Sequence, residues 1–321
     1  MRNRGAILLA ASLSIAASAW AEETPKAAPA VPFAGGLDMA PPASKPDIAF
    51  GAFQRGYFVT AFNEAMKRIL ANPKDAAAMT LVGEIYDQGL GMRLDYGEAA
   101  RWFRLATTLG NREATFALAM MTLEGRGVAK DRMAAKVLFE QAAALGHPGA
   151  IYNLGVMAIS GNGVTPDFTR AAALFQRAAE LGDTDAAYSL AVLYRQGRGV
   201  DPDIEKAAEW MERAAKQQNI DAEVEYAIML FNGHGVPKDE KAAAGWFIKA
   251  AARGNPIAEN RLARLYIIGR GVDRDIVQAM KWHLLARAAG LKDDWLDTFL
   301  NGLSKEDADK VEAAVRQELG R

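Results

Sequence analysis

Hydrophobic residues recur along most of the chain with the period of an α-helix. Four times a leucine adjoins a small residue and is followed three positions later by another apolar residue, so all three share one helical stripe. The four stripes are Leu118, Ala119 and Met121; Leu154, Gly155 and Met157; Leu190, Ala191 and Leu193; and Leu262, Ala263 and Leu265. Each stripe predicts an amphipathic helix, which we name helix A of its repeat.

Pairs of glycines end these helices at a constant spacing. The frame Gly-x-Gly recurs every 36 residues and begins at Gly89, Gly125, Gly161, Gly197, Gly233 and Gly269. A left-handed residue after a helix costs a non-glycine about 1–2 kcal/mol, so the first glycine of each frame predicts the end of helix A. The second glycine lets the chain turn tightly.

A second helix, named helix B, follows each glycine frame. An aspartate six residues after the first glycine can cap the free N–H groups at the start of this helix. Two alanine columns let helix B approach its neighbour closely, and a bulky residue between them is predicted to fill the space beside them. The aspartates are Asp95, Asp131, Asp167, Asp203, Asp239 and Asp275; the alanine columns begin at Ala99 and Ala106; the bulky residues are Trp102, Leu138, Leu174, Trp210, Trp246 and Trp282.

Helix B ends in glycine in five of the six repeats, at Gly110, Gly146, Gly182, Gly254 and Gly290. The fourth repeat has Gln218 in this place. Because glutamine has no free access to the left-handed region, we predict local irregularity there, with Asn219 helping to end the helix.

These columns divide the chain into six helical repeats with a helical cap at each end. The predicted repeats are 75–110, 111–146, 147–182, 183–218, 219–254 and 255–290; the N-terminal cap is 47–74 and the C-terminal cap is 291–321. The resulting fold class is an all-α solenoid, since each repeat can bury its apolar stripe only against its neighbours.

The chain begins with a predicted export signal. Arg2 and Arg4 precede a short apolar run, and Ala19 and Ala21 place small residues where a signal peptidase requires them. We predict a signal peptide over 1–21, cleaved after Ala21, and a disordered Pro/Ala-rich linker over 22–46. An uncleaved anchor is the alternative, but the run is shorter than a membrane span of about 20 residues.

Composition excludes several classes of function. The formal net charge is −1, and loss of the two leader arginines makes it more negative, so no nucleic-acid partner is predicted. The chain has no cysteine, which excludes disulfides, thiolate catalysis and cysteine-ligated metal centres.

No catalytic signature is present in the sequence. The glycine frames lack the third glycine of a dinucleotide-binding loop, and they end a helix instead of following a strand. The three histidines, His147, His234 and His283, occupy three different positions of the repeat and are not predicted to converge. We therefore predict no catalytic residue, no cofactor and no metal site.

The columns resemble the Sel-one-like repeat, a family similar to tetratricopeptide repeats. The resemblance is carried in the fourth repeat by Ala186, Leu190, Tyr194, Gly197, Gly199, Val200, Asp203, Ala207, Trp210 and Ala214. It covers all six repeats and implies antiparallel helix pairs stacked into a right-handed superhelix, here in a secreted bacterial member. It also implies scaffolding or regulatory roles, including control of an envelope signalling or exopolysaccharide system.

One face of helix A is a candidate binding groove. Positions nine, five and two before the first glycine lie opposite the stripe that faces helix B, and in a solenoid they line the concave side. A solvated face should be polar, yet this one is largely apolar. The candidate groove residues are Phe116, Met120, Tyr152, Val156, Tyr188, Val192, Arg195, Ile228, Phe231 and Arg264. The alternative is that neighbouring A helices bury much of this face, because a helix that is apolar all round is usually buried.

The sequence thus predicts a non-enzymatic periplasmic or secreted scaffold that binds another protein or an extended peptide through this groove. Two alternatives remain. One is cell-wall glycan binding by exposed rings. The other is the hydrolase or penicillin-binding activity of cysteine-rich relatives, whose disulfide-stapled repeat this chain lacks.

Overall fold

A computed structural model describes residues 47–160 and 165–320. The predicted signal peptide and linker lie outside these residues. Within them the chain forms sixteen α-helices and no β-strand, as the prediction of an all-α fold requires.

The helices follow one another at short intervals. Their bounds are α1 Ile48–Gln54, α2 Phe58–Ala71, α3 Ala76–Gln88, α4 Tyr96–Thr108, α5 Arg112–Glu124, α6 Arg132–Ala144, α7 Pro148–Ile159, α8 Phe168–Glu180, α9 Thr184–Gln196, α10 Ile204–Lys216, α11 Ile220–Asn232, α12 Glu240–Ala251, α13 Pro256–Ile268, α14 Ile276–Ala288, α15 Asp294–Asn301 and α16 Lys305–Leu319. Helices A of the six repeats are α3, α5, α7, α9, α11 and α13, and helices B are α4, α6, α8, α10, α12 and α14.

The chain divides into two compact units, one ending at Asp167 and the other beginning at Phe168. In the first unit each helix from α1 to α7 packs against the next, and in the second unit each helix from α8 to α14 does the same. The last helix of the second unit, α16, packs on α14 and closes the end of that stack.

Caps fix the helix ends at the predicted positions. The first glycine of the frame is left-handed and ends helix A at Gly89, Gly125, Gly197, Gly233 and Gly269. Aspartate side chains accept a backbone N–H at the start of helix B in Asp95, Asp131, Asp203, Asp239 and Asp275. These features confirm the roles assigned to the two columns in five of the six repeats. In the third repeat Gly161 lies outside the described residues.

Helix A has a cap column of its own, which the sequence patterns did not reveal. The side chain immediately before each helix A accepts a backbone N–H from that helix, in Asp75, Asn111, His147, Asp183, Asn219 and Asn255. His147 is thus a helix cap whose Nδ1 accepts the N–H of Ala150 at 3.2 Å.

The core of helix B lies one residue beyond the predicted bulky column. The fully buried column is Phe103, Phe139, Phe175, Met211, Phe247 and His283. In the predicted column only Trp282 is buried, and Trp102, Leu138, Leu174, Trp210 and Trp246 are half-buried. The small column of helix A explains this packing, because a Cβ on Gly83 would lie 2.7 Å from the Phe103 ring. The assignment of the tryptophan column as the space-filling core column was therefore wrong by one position.

The second glycine of the frame joins successive repeats. A Cβ on Gly127 would lie 2.1 Å from the carbonyl oxygen of Tyr96, in the first turn of the preceding helix B. Gly235 approaches Ile204, and Gly271 approaches Glu240, in the same way. Each of these glycines also has a positive φ. Absence of a side chain is thus required for contact between neighbouring repeats as well as for the turn.

Gln218 keeps the left-handed conformation that glycine has in the other repeats. Its φ is 68°, which makes it the one non-glycine residue with positive φ in the described chain. Arg253 of the next repeat donates from Nη1 to the Gln218 carbonyl oxygen at 2.9 Å. Asn219 caps the following helix α11 and does not end α10. The predicted irregularity is therefore confined to backbone strain at Gln218, which adopts the same left-handed conformation as the equivalent glycines.

Candidate functional site

The candidate groove residues of the first unit are largely enclosed. Tyr152 is 1% exposed and Val156 is 4% exposed. The Phe116 ring stacks on the His147 ring, with centroids 4.1 Å apart, and Met120 is half-buried. Of the four candidate residues on this part of the predicted face, two are therefore buried and two are half-buried.

The second unit leaves more of this face open. On α9, Tyr188 is half-buried and Arg195 is exposed, whereas Val192 is 2% exposed and belongs to the core. Arg195 Nη1 lies 2.6 Å from Glu225 Oε2 on α11. This ion pair shows that the two A helices present these residues to one side of the unit.

The surroundings of Tyr188 on this face keep its phenol neutral. Burial, with added repulsion from the carboxylates of Glu225 and Asp221, raises the pKa of Tyr188 to about 12. A neutral phenol beside two acids can donate a hydrogen bond and offers its ring for contact.

Helix α11 contributes two further apolar side chains, Ile228 and Phe231, both half-buried. The guanidinium of Arg270 lies 4.4 Å from the centroid of the Phe231 ring. Arg270 also pairs with Glu240, and its Nε lies 3.0 Å from Glu240 Oε2. Hydrogen bonds from Arg270 and Lys238 lower the pKa of Glu240 to about 2. The Arg270 guanidinium, whose position is fixed by Glu240, therefore packs on the Phe231 ring.

Arg264 on α13 forms part of a rigid network with the C-terminal cap. Its Nε lies 2.7 Å and its Nη2 2.8 Å from the two carboxylate oxygens of Asp293. Asn260 donates to the same carboxylate at 2.7 Å. Burial alone would raise the pKa of Asp293, but the hydrogen bonds from Arg264 and Asn260 outweigh it and hold that pKa below its usual range.

The middle residue of the glycine frame makes a contact between repeats that the sequence patterns did not reveal. The guanidinium of Arg126 lies 5.4 Å from the ring centroid of Tyr96, and that of Arg198 lies 3.8 Å from the ring centroid of Phe168. Arg270 makes the equivalent contact with Glu240. The sequence does contain a sign of this contact, because the middle residue is an arginine in three of the six glycine frames.

The three histidines have three different surroundings. His147 caps α7 with Nε2 3.0 Å from Glu113, His234 is exposed, and the fully buried His283 has Nε2 2.8 Å from Asp297. Within residues 47–160 and 165–320, no group of three or more His, Asp or Glu side chains is arranged to hold a metal ion. In the same part of the chain, no helix has the length and apolar character needed to cross a membrane.

Comparison with known proteins places these features in a family. The Sel1 repeat profile matches residues 76–111, 112–147, 148–183, 184–219, 220–255 and 256–291. Each matched segment begins one residue after the repeat predicted from the sequence. No curated protein matches the chain.

Two solved structures are similar over most of the chain. A Sel1 repeat protein from Oxalobacter formigenes is 30% identical, with a TM-score of 0.67, over 75% of this chain and 98% of that one. A protective antigen of uropathogenic Escherichia coli with an SLR fold, c5321, is 26% identical, with a TM-score of 0.50, over 82% of this chain and 64% of that one.

Proposed function

Because the chain belongs to the Sel1 repeat family, whose members generally serve as protein-interaction scaffolds, we propose that it binds another protein or an extended peptide through the helix-A face of its second unit. We define this face by Tyr188, Arg195, Ile228, Phe231 and Arg264. The fold is typically a non-catalytic scaffold, and the proposed role is accordingly non-enzymatic.

The observation that carries the proposal is a set of partly exposed rings and aliphatic side chains beside oriented cations. Tyr188, Ile228 and Phe231 keep part of their surface accessible, although the valine between them in the pattern, Val192, is buried. Aromatic and arginine side chains on a rigid frame are the residues that dominate binding energy at protein interfaces. Arg195 and Arg264 are already held by carboxylates, so their orientation is fixed before a partner arrives.

We also propose that the protein acts in the periplasm or outside the cell, where it would regulate an envelope signalling or exopolysaccharide system. The support for export is the basic start, the short apolar run and the alanines before Glu22, and the regulatory role is what the family resemblance implies. Intact-mass measurement on natively exported protein should give a chain that begins at Glu22. A mature chain that retains Met1 would contradict export by a cleaved signal.

The binding face is tested by replacing both Tyr188 and Phe231 with serine. Because both rings are partly exposed, the variant should keep its helix content and unfold close to the wild-type midpoint. Its affinity for a partner isolated from the envelope fraction should fall at least tenfold, equivalent to about 1.4 kcal/mol. Circular dichroism gives the first result and titration calorimetry the second.

A matched control replaces two other tyrosines that also lie on A helices of the second unit. Tyr194 and Tyr266 are also half-buried, but Tyr194 faces helix B, where Lys206 Nζ lies 5.5 Å from its ring centroid. Their double replacement by serine should leave partner affinity within about twofold. Equal losses of partner affinity in the two double variants would refute the proposed face, and so would unchanged partner capture by the Tyr188→Ser, Phe231→Ser variant. Competition for binding by muropeptides instead of peptides would indicate a glycan-binding protein.

A further inference from the structure

An open cleft of about 610 Å³ lies at the end of the second unit. It is formed by the first half of α13 and by the segment that joins α14 to α15. Its lining includes Ile257, Arg261, Leu291, Lys292 and Trp295. The cleft therefore joins one repeat helix to the C-terminal cap, which lies outside the repeat pattern.

The floor of the cleft is rigid. Asp293 caps α15 by accepting the N–H of Leu296 at 3.2 Å, and the same carboxylate receives the hydrogen bonds of Asn260 and Arg264 described above. The Arg264 guanidinium lies 4.9 Å from the ring centroid of Trp295. The indole is thus fixed between a cation and its own helix before anything binds.

The rim carries cations that no carboxylate of the described chain neutralises. Arg261 and Lys292 are exposed, and neither side chain forms an ion pair or hydrogen bond within the described residues. One acid, Asp294, also lies on the rim. Since Asp293 is balanced by Arg264, the cleft as a whole has a positive charge excess, in a chain whose net charge is negative.

Apolar surface lies beside these cations. Ile257 is 48% exposed and Trp295 is 38% exposed, and Leu291 completes the wall. A ligand that suits both halves of the cleft must carry an anionic group next to a bulky apolar one.

We propose that this cleft binds a peptide segment in which an Asp or Glu side chain neighbours a bulky apolar side chain. Arg261 and Lys292 pair with the carboxylate, and Trp295 with Ile257 takes the apolar group. The proposal rests on the peptide-binding function proposed above, and it gives the chemistry of one end of the bound segment. A nucleic acid fits less well, because two free cations beside an apolar wall provide few phosphate contacts.

The experiment selects peptides from a random dodecamer library displayed on phage, using the folded mature chain as target. Peptides retained by the wild type should be enriched at least threefold in Asp or Glu adjacent to Leu, Ile, Phe or Trp. The affinity of the most enriched peptide should fall at least tenfold in the double variant Arg261→Glu, Lys292→Glu. Selection on that variant should instead enrich Lys or Arg, because the rim charge is reversed.

The matched control reverses one arginine and one lysine elsewhere in the second unit. Arg274 and Lys241 are exposed as well, so the variant Arg274→Glu, Lys241→Glu has the same net charge as the cleft variant. It should bind the selected peptide within twofold of wild type. An equal loss in both variants, or no acidic enrichment in the selection, overturns the proposal.

Two further comparisons separate the possible causes. A twelve-nucleotide oligothymidylate that binds as tightly as the selected peptide would mean that charge alone is recognised, which also overturns the proposal. If the cleft variant loses the peptide while the Tyr188→Ser, Phe231→Ser variant keeps its natural partner, the cleft proposal is supported and the proposed helix-A face is refuted. If only the Tyr188→Ser, Phe231→Ser variant loses binding, the helix-A face is supported and the cleft proposal is refuted.

Discussion

Replacement of Gly271 by alanine is expected to lower the free energy of unfolding by about 3 kcal/mol or more. Gly271 has φ +74°, and an added Cβ would lie 2.1 Å from the carbonyl oxygen of Glu240. The left-handed conformation alone costs an L-residue about 1–2 kcal/mol, and overpacking against rigid backbone adds about 1–3 kcal/mol. Because the contact joins two repeats, the change also weakens the packing of α13 and α14 on the preceding pair.

Gly254 is the matched control for this prediction. It lies in the same unit with φ +75°, yet an added Cβ there has no atom within 4 Å. Gly254→Ala should therefore cost only the backbone term of about 1–2 kcal/mol. Urea denaturation followed by circular dichroism measures both variants, and equal costs would show that close approach of the repeats is not what requires glycine in the second position of the frame.

The next largest effect is expected at Phe247. This ring is 2% exposed in the core of α12, and its truncation to alanine should cost about 3–5 kcal/mol through lost burial and the cavity left behind. The neighbouring Trp246 is half-buried and meets the Tyr226 ring edge-on at 5.9 Å. Because part of the indole stays in contact with water, Trp246→Ala should cost less than about 2 kcal/mol.

The order of these two costs decides which column of helix B is the core. Chemical denaturation of both variants in the same buffer gives the comparison directly. A larger loss for Trp246→Ala than for Phe247→Ala would restore the column predicted from the sequence and contradict the packing described here.

The sequence was most informative where a residue type has one physical use. A glycine with positive φ, as at Gly89 or Gly125, and an aspartate that caps a helix start, as at Asp95, define the helix ends in five of the six repeats. The helix pairs and their order could be predicted from these columns alone.

The sequence was less informative where two neighbouring residues are both apolar. Trp102 and Phe103 differ by 100° around helix B, and nothing in the local pattern ranks one above the other as the core residue. The deciding fact is tertiary, because Gly83 on helix A leaves room for the Phe103 ring.

The same limit applies to the candidate face. Tyr152 and Tyr188 occupy equivalent positions of successive repeats, but Tyr152 is buried and Tyr188 is partly exposed. Exposure depends on tertiary packing around each side chain, and the periodicity of one helix does not contain that information.

The central claim is that a protein partner contacts the helix-A face of the second unit. Site-specific photo-crosslinking in producing cells tests it most directly, with the photoreactive residue placed at Ile228 on α11 or at the exposed Glu209 on α10. The account predicts one crosslinked protein species at Ile228 and none at Glu209. The same species crosslinked at Glu209 alone would contradict it.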